Sequence, residues 1–339
     1  MLSSSQNFLF NFSASTGGGG LKRLEEYSRW FQASGGSIFI VSPLVLNQLS
    51  KMYPKNRYFS VYQSTFDRVF RDQDYIRNLP IDFNKLDFYF SYGIPIYSKI
   101  AKKNWFHLSN VAPFNPGIEK TLIDLIRYPV LKYKFLKNLN TPEFISAESM
   151  SSFDLLPQKY KNKFICLLNG SDDEIKNSSK AYPPKDYAVA VGTHPYKRID
   201  RVLECFKNLQ KQYGLNKLYI FGDYANLDKK LLNNKNIVFM GLQKRDKVIE
   251  TIASSKLYIS CTTVENSFNA ASEGIFLSKN SLISDIGPHR ELLKNEIKNE
   301  VLVNGQNMFM VSKHELRLKN VISWDSVIRL MLKKSGIGL

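Results

Sequence analysis

The strongest constraint on the fold lies in the first forty residues. An apolar run at residues 7–12 (NFLFNF) is followed by four consecutive glycines at 17–20. Residues 21–33 then place apolar side chains at helical spacing, and residues 37–41 (SIFIV) form the next apolar run. Two strands joined by a helix pair parallel, with a right-handed crossover. The chain is therefore predicted to begin with a parallel α/β sheet.

The same alternation continues along the chain. Further strands are predicted at residues 58–61, 86–90, 105–108 and 164–168, with a long helix near 118–139. Residues 169–184 are polar, contain Gly and two prolines, and show no apolar periodicity, which is typical of a linker.

A second alternation follows the linker. Strands are predicted at residues 187–191, 218–221, 237–240, 257–260 and 281–284, and helices at 197–213, 245–254 and 268–277. The length of 339 residues suits two domains, predicted at 1–175 and 176–322. Residues 323–339 carry an amphipathic helix whose domain the pattern leaves open, and packing back on the N-terminal domain is one possibility.

Composition narrows the classes of partner and compartment. The formal net charge of +17 indicates an anionic partner, such as nucleic acid, an acidic membrane or a phosphorylated small molecule. The 43% apolar content excludes disorder as the main state. Three scattered cysteines, Cys166, Cys205 and Cys261, predict a reducing cytosol without a disulfide framework or zinc site. No signal peptide or membrane span is expected, so membrane contact would be peripheral.

Two loops have the composition of anion sites. Gly18 and Gly19 precede a predicted helix, where free N–H groups suit a phosphate, although the spacing fits neither G-x-G-x-x-G nor the Walker pattern. The alternative is a flexible turn. Lys197 and Arg198, in VGTHPYKR, lie where a helix begins, which is unfavourable for cations unless an anion binds there. The alternative is a pair of solvated charges.

A third segment, TVENSFNAASEG at residues 263–274, follows an apolar strand. Glu265 is expected in the loop and Glu273 two turns into the next helix, where carboxylates can accept hydrogen bonds from sugar and ribose hydroxyls. Backbone N–H groups between Ser267 and Asn269 could meet a phosphate. The pair Asp72 and Asp74 is predicted to be solvated surface, so no metal is expected.

Taken in order, these segments resemble a known family. The motifs SASTGGGGLKRL, WFHLSNVAPF, LLNGSDDE, VGTHPYKRIDRVLECF, ENSFNAASEG and SDIGPHREL are similar to those of retaining glycosyltransferases of family 4, in particular bacterial enzymes of surface-polysaccharide and O-antigen synthesis. The resemblance implies the α/β GT-B fold, with two facing Rossmann-like domains, parallel sheets and a cleft between them. The N-terminal domain would lie on the acceptor side, and the C-terminal domain would bind the nucleotide sugar.

The resemblance also implies roles for individual residues. Glu265, Lys197 and His107 would be catalytic: Glu265 and His107 would contact the donor sugar, and Lys197 would neutralise the diphosphate. His107 is equally explained as a hydrogen-bonded core residue. Donor-binding residues would be Gly18, Gly19, Arg198, Asn266, Ser267, Phe268, Asn269 and Glu273, with Glu273 on the ribose. Thr193 replaces an arginine common in the family, so either Arg198 compensates or leaving-group stabilisation differs.

The expected function is metal-independent transfer of a hexose from a UDP- or GDP-linked sugar to a lipid-linked glycan, without a cofactor. The enzyme would be cytoplasmic and peripheral to the inner face of the cell membrane. An anionic membrane surface would be met by a cluster of lysines with interleaved aromatics: Lys99, Lys102, Lys103, Lys132, Lys134 and Lys137, with Tyr97, Trp105, Tyr133 and Phe135. The alternatives are a Lys-rich composition without a specific partner, a nucleic-acid-binding protein, and a catalytically degenerate GT-B binding subunit. No nucleic-acid partner is expected, because the basic residues form no single run.

Overall fold

The structure is a computed structural model that describes residues 7–61, 64–115, 118, 120–170, 182–225, 227, 234–266, 269–294, 296–303, 305–313 and 322–337. The chain forms two compact units. The first comprises Met1–Pro116, Thr121–Gly170 and Ile322–Leu339, and the second Gly117–Lys120 and Ser171–Val321. Most of the predicted linker, at 171–181, lies outside the described residues.

A parallel sheet forms the centre of the first unit. Its strands are β1 (Phe8–Phe12), β2 (Ile38–Val41), β3 (Arg57–Ser60), β4 (Phe88–Tyr92), β5 (Lys103–His107), β6 (Phe144–Ala147) and β7 (Phe164–Cys166). They pair in the order β3-β2-β1-β4-β5-β6-β7, and every pair is parallel. Side chains on both faces of β1, β2 and β4 are buried, as expected for a parallel sheet covered on both sides.

The helices of this region are α1 (Gly18–Ala33), α2 (Pro43–Met52), α3 (Thr65–Phe70), α4 (Asp72–Arg77), α5 (Leu122–Asn138) and α6 (Ser151–Asp154). Local sequence explains where several begin. The side chain of Ser42 caps α2, which has proline at its first position, and Thr121 forms a capping box with Asp124 at the start of α5. Helix α1 begins three residues earlier than predicted, so the glycines form its first turn.

The second unit contains a mixed sheet. Its strands are β8 (Lys185–Val191), β9 (Lys217–Phe221), β10 (Ile237–Gly241), β11 (Ser255–Ser260), β12 (Asn280–Ser284), β13 (Asn299–Val303) and β14 (Gln306–Ser312), in the order β10-β9-β8-β11-β12-β14-β13. Strands β8 to β12 pair parallel, and the hairpin β13–β14 adds an antiparallel edge. The helices are α7 (Ile199–Tyr213), α8 (Arg245–Ala253), α9 (Asn269–Leu277) and α10 (Gly287–Leu292).

The last helix, α11 (Trp324–Lys334), belongs to the core of the first unit. Its side chains Trp324, Val327, Ile328, Met331 and Leu332 are buried in one cluster with aromatic residues of β1, β4 and α1. Its capping residue, Ser323, accepts a hydrogen bond from the N–H of Ser326. A helix made after the whole second unit therefore completes the hydrophobic core of the first.

Three predictions about exposure are wrong. Asp72 is buried rather than solvated, because its carboxylate accepts a hydrogen bond of 3.0 Å from the Asn11 amide. Trp105 and Phe135 are also buried, and they pack against Phe144 and Phe106. Charged neighbours in the sequence therefore did not indicate exposure at these positions. Within the described residues, no helix is both long and apolar enough to cross a bilayer.

The position of α11 leads to a stability prediction. Replacing Trp324 with Ala should lower the free energy of unfolding of the first unit by about 3–5 kcal/mol, because the indole is buried in its core. Urea unfolding followed by fluorescence measures this, since the other two tryptophans, Trp30 and Trp105, both lie in the first unit.

A matched control on the same helix is Arg329→Ala, which removes an exposed pair with Asp325. It should leave the free energy of unfolding nearly unchanged, because an exposed ion pair contributes little to stability. Equal effects of the two substitutions would contradict the burial of α11 in this core.

Candidate functional site

The topology of the second sheet defines where a ligand can bind. From β8 the chain proceeds to β9 and β10 on one side, and it then crosses to β11 and β12 on the other. Strands β8 and β11 are therefore neighbours, and the segments that follow them lead towards opposite sides of the sheet. Open α/β sheets bind ligands outside the carboxyl ends of their strands at such a switch point. Two of the three segments singled out in the sequence, VGTHPYKR at 191–198 and TVENSFNAASEG at 263–274, lie at or just after the ends of these two strands.

An ion pair joins the two segments. The Lys197 ammonium donates a hydrogen bond to the Glu265 carboxylate, and both side chains are mostly buried. The carbonyl of Tyr196 also accepts a hydrogen bond of 2.9 Å from the N–H of Thr263. A cation and a carboxylate are thus held together at the switch point, and each keeps a partly accessible edge.

Gly192 makes room for the lysine. Its φ of +95° lies in the left-handed region, and a Cβ built there would lie 3.0 Å from Cε of Lys197. The aliphatic part of Lys197 therefore packs over the bare backbone at the end of β8. A larger residue at 192 would strain the backbone and displace the lysine.

Arg198 and Thr193 have other partners. Arg198 caps α7 in a left-handed conformation, with φ of 52°. Its Nε donates to the two carboxylate oxygens of Asp200 at 2.9 and 3.2 Å. The Thr193 hydroxyl donates to the carbonyl of Asp223. The charge of Arg198 is thus balanced within the first turn of α7, and a role in donor binding stays a prediction.

Glu273 lies nearer the start of its helix than predicted. Because α9 begins at Asn269, Glu273 is one turn into the helix rather than two. Its side chain is largely buried, and its carboxylate forms an ion pair of 2.8 Å with Nη2 of Arg245. Asn266 is buried and Asn269 is half-buried, whereas Ser267 and Phe268 lie outside the described residues.

Sequence reasoning missed Arg245, although a usable signal was present. Arg245 is the first residue of α8, a position that the helix dipole makes unfavourable for a cation. The same argument had singled out Lys197 and Arg198. Here the compensating anion is a side chain of the protein itself, Glu273.

A second residue without a predicted role, His289 on α10, is close enough to Lys197 to be affected by its charge. The imidazole is fully buried, and its Nδ1–H donates to the carbonyl of Ser284 at 2.7 Å. Its Nε2 has no hydrogen-bond partner among the described residues. Burial first, and then the charge of Lys197, lowers the pKa of His289 to about 4. The ring is therefore neutral at physiological pH, which suits a position within reach of the Lys197 charge.

His107 has the environment of a core histidine in the first unit. Its ring stacks on Tyr92 at 5.2 Å, and its Nδ1 lies 2.7 Å from the hydroxyl of Ser146. Because Nε2 faces the Glu148 carboxylate at 3.4 Å, Nε2 carries the proton of the neutral ring. Nδ1 then accepts from the Ser146 hydroxyl, whose oxygen accepts from Trp105 Nε1–H. Burial and the charge of Arg23 lower the pKa of His107 to about 4.

The remaining predicted residues of the first unit are Gly18 and Gly19, which are exposed in the first turn of α1. They follow β1, and the sheet order places the switch point of the first unit between β1 and β4. The predicted residues therefore fall in two groups. Gly18, Gly19 and His107 belong to the first unit. The predicted site residues near the second switch point are Lys197, Arg198, Glu265, Asn266, Asn269 and Glu273.

Among the described residues, no cluster of three or more His, Cys, Asp or Glu side chains could hold a metal ion. The available electrostatic groups at the second switch point are Lys197, Arg245 and the two glutamates that they bind. This arrangement can offer a cation to a phosphate and carboxylates to hydroxyl groups.

Comparison with known proteins finds a family match over the segment that contains Lys197, Arg245, Glu265 and Glu273. Residues 171–317 match the family model described as glycosyl transferases group 1. The chain has no match among curated protein sequences.

Solved structures match over nearly the whole chain. HepE from Anabaena, solved in complex with UDP and glucose, is 12% identical, with 98% of this chain and 99% of HepE covered and a TM-score of 0.62. WaaG, a glycosyltransferase involved in lipopolysaccharide biosynthesis, is 13% identical, with 97% and 90% covered and a TM-score of 0.62. A trehalose-6-phosphate synthase, studied for glycosyl transfer with retention, is 10% identical, with 85% and 86% covered and a TM-score of 0.53. The protein therefore has the GT-B fold, and the matched family domain coincides with the second unit.

The two buried histidines lead to a pH prediction. In the folded protein the pKa values of His107 and His289 are about 4, whereas an unfolded chain has histidine pKa values near ~6.5. Between these values the unfolded state binds more protons, so the free energy of unfolding should fall as the pH is lowered from 6.5 towards 4. The expected slope is about 1.4 kcal/mol per pH unit for each histidine.

NMR titration of the imidazole resonances tests this directly. Two rings should remain neutral at pH 5 in the native protein, and all should titrate in the urea-denatured protein. Native titration of every ring near pH 6.5 would contradict the buried, neutral state of these histidines.

Proposed function

We propose that this protein is a retaining glycosyltransferase that moves a hexose from a UDP- or GDP-linked sugar to a lipid-linked glycan in the synthesis of a surface polysaccharide. The observation that carries the proposal is the Lys197–Glu265 pair at the switch point of the second sheet, within the segment that matches group 1 glycosyltransferases. We further propose that the enzyme works at the cytoplasmic face of an anionic membrane, without a metal or cofactor.

The leaving diphosphate gains its stabilisation from Lys197. Cleavage of a sugar–diphosphate bond develops negative charge on the leaving oxygen, and a preorganised cation lowers the energy of that state. In the structure the ammonium group is bound to Glu265, so donor binding exchanges one anionic partner for another. The carboxylate released in this exchange is then available to accept a hydrogen bond from a donor-sugar hydroxyl.

Glu273 provides the contact for the ribose. Its carboxylate lies one turn into α9, and Arg245 holds one of its oxygens. A carboxylate held in this way can also accept hydrogen bonds from the ribose diol. Arg245 is thus a positioning residue that fixes the carboxylate, and Asn269 is the first residue of the same helix.

The donor, the acceptor, the stereochemistry of transfer and the place of action are each supported by a different observation. The UDP and glucose in the HepE structure support a nucleoside-diphosphate donor, and the involvement of WaaG in lipopolysaccharide biosynthesis supports a lipid-linked, surface-polysaccharide acceptor. The trehalose-6-phosphate synthase match supports retention. The net charge of +17 supports an anionic surface as the place of action.

A thermal-shift panel with UDP, GDP, ADP and dTDP tests the donor site. One nucleotide should stabilise the protein, by about 2.7 kcal/mol at a concentration of 100 Kd, because it binds only the folded state. Glu273→Ala should abolish that shift. The control Glu250→Ala removes an exposed carboxylate from α8, where it pairs with Lys247, and should keep the shift. Absence of a shift with every nucleotide would contradict the donor site.

Release of nucleotide from the sugar donor tests the chemistry. Glu265→Gln should lower kcat by roughly 10²-fold or more while the nucleotide thermal shift is retained, because the amide keeps the size but loses the charge. Addition of EDTA should leave the rate unchanged. A rate lost to EDTA and restored by Mg²⁺ would contradict metal-independent catalysis, and nucleotide binding without turnover in the wild type would favour the degenerate binding subunit.

A further inference from the structure

Helix α5 of the first unit turns an apolar face to solvent. Asp124, Tyr128 and Phe135 form its buried side. On the opposite side Leu122, Ile123 and Ile126 are 83%, 73% and 75% exposed. Leu125, Val130 and Tyr133 are exposed as well. Leu122, Ile126, Val130 and Tyr133 are spaced by three or four residues, so they form one stripe along the helix.

This stripe differs from ordinary surface hydrophobics. Single exposed apolar residues, such as Leu44 on α2 and Leu242 after β10, are normal on a soluble protein. A contiguous exposed apolar patch indicates an interaction surface. The patch also continues onto α3, where Phe66 and Phe70 stack on each other, exposed to solvent, and Lys134 of α5 lies 4.3 Å above the Phe70 ring.

The exposed charged side chains of α5 are all of one sign. Arg127, Lys132 and Lys137 are exposed along α5, and Lys120 is exposed just before it. The only acid within α5, Asp124, is on the buried side, where it completes the capping box with Thr121. An apolar stripe flanked by cations is the pattern of helices that lie in a membrane interface.

Charge complementarity selects the partner. A second copy of this chain would place cations against cations at the same surface. Nucleic acid would satisfy the cations, but the most exposed side chains are aliphatic, and bases stack on aromatic rings. An anionic lipid surface satisfies both halves of the pattern, since its hydrocarbon accepts Leu and Ile and its phosphates accept Lys and Arg.

We propose that the outward face of α5 docks the protein on an anionic lipid bilayer. Leu122, Ile123 and Ile126 enter the boundary between headgroups and acyl chains, and Arg127, Lys132 and Lys137 meet the lipid phosphates. This surface keeps Lys132 and Lys137 of the lysine cluster expected from the sequence, whereas Lys99 and Lys102 pair with Glu143 and Asp87. The idea that docking brings the enzyme to a lipid-linked acceptor rests on the proposed function. The docking itself does not depend on that function.

Co-sedimentation with vesicles of phosphatidylcholine, with or without phosphatidylglycerol, tests the proposal. The full-length protein should bind the anionic vesicles, bind the neutral ones more weakly, and be partly released by salt. The double variant Leu122→Gln/Ile126→Gln should lose binding by roughly tenfold or more, because two inserting side chains are removed. Its control, Leu44→Gln/Leu242→Gln, changes two equally exposed leucines elsewhere and should bind as the wild type does.

The cations are tested in the same way. Lys132→Glu/Lys137→Glu should also lose binding, by about tenfold or more, since surface-near cations contribute strongly to attraction by anionic lipid. Lys207→Glu/Lys211→Glu on α7 makes the same change in net charge and should retain binding. A test variant and its control could lose vesicle binding equally. That result would show that binding depends on overall charge or hydrophobicity and would overturn the proposal.

Other outcomes are equally decisive. No binding, or equal binding to both kinds of vesicle, would overturn the proposal. A random oligonucleotide could instead bind the wild type tightly, lose binding in Lys132→Glu/Lys137→Glu and keep it in Leu122→Gln/Ile126→Gln. That result would overturn the proposal in favour of a nucleic-acid surface. The nucleotide thermal shift, measured on the same variants, separates this proposal from the donor site: loss of vesicle binding with the shift intact removes only the docking surface.

Discussion

Parallel strand pairing is the constraint from which the candidate site follows. Strands β8 and β11 are neighbours in the sheet although Lys197 and Glu265, which follow them, are 68 residues apart in the chain. Parallel strands end at the same edge, so the loops that follow them meet there whatever their distance in sequence. The ion pair, the left-handed glycine beneath the lysine and the buried His289 are all consequences of this shared edge. Glu265 balances the charge of Lys197, which lets the cation occupy a largely buried position.

The first unit depends in a similar way on one buried charge. Arg23 is fully buried, and its guanidinium donates to the carbonyls of Leu167 and Leu168 and to the side chain of Asn169. Its charge is balanced by Glu148, and it lies 5.3 Å from the ring of Trp324. Arg23 therefore holds residues 167–169, where the chain leaves this unit. The same side chain lies against α11, the helix with which the chain returns to the unit. Loss of either partner would leave a buried charge uncompensated.

Apolar periodicity predicted most of the strands and helices, because burial on a sheet or helix face leaves a direct trace in the sequence. It missed β6, which is four residues long, and the hairpin β13–β14, whose edge position leaves many side chains exposed. The pairing of Lys197 with Glu265 was not visible in the sequence, although both residues were singled out. Arg245 and His289 were missed because their positions depend on the register of separate elements. Asp72 was misjudged because its partner, Asn11, lies 61 residues away on β1.

The return of α11 to the first unit has a consequence for biosynthesis. The ribosome completes the second unit, between Ser171 and Val321, before it releases the helix that fills the core of the first. Until then the aromatic side chains of β1, β4 and α1 lack the cover of Trp324, Ile328 and Met331. The first unit thus begins to form first and is finished last, and its incomplete core is exposed to chaperones and to aggregation for the time that translation of the second unit takes.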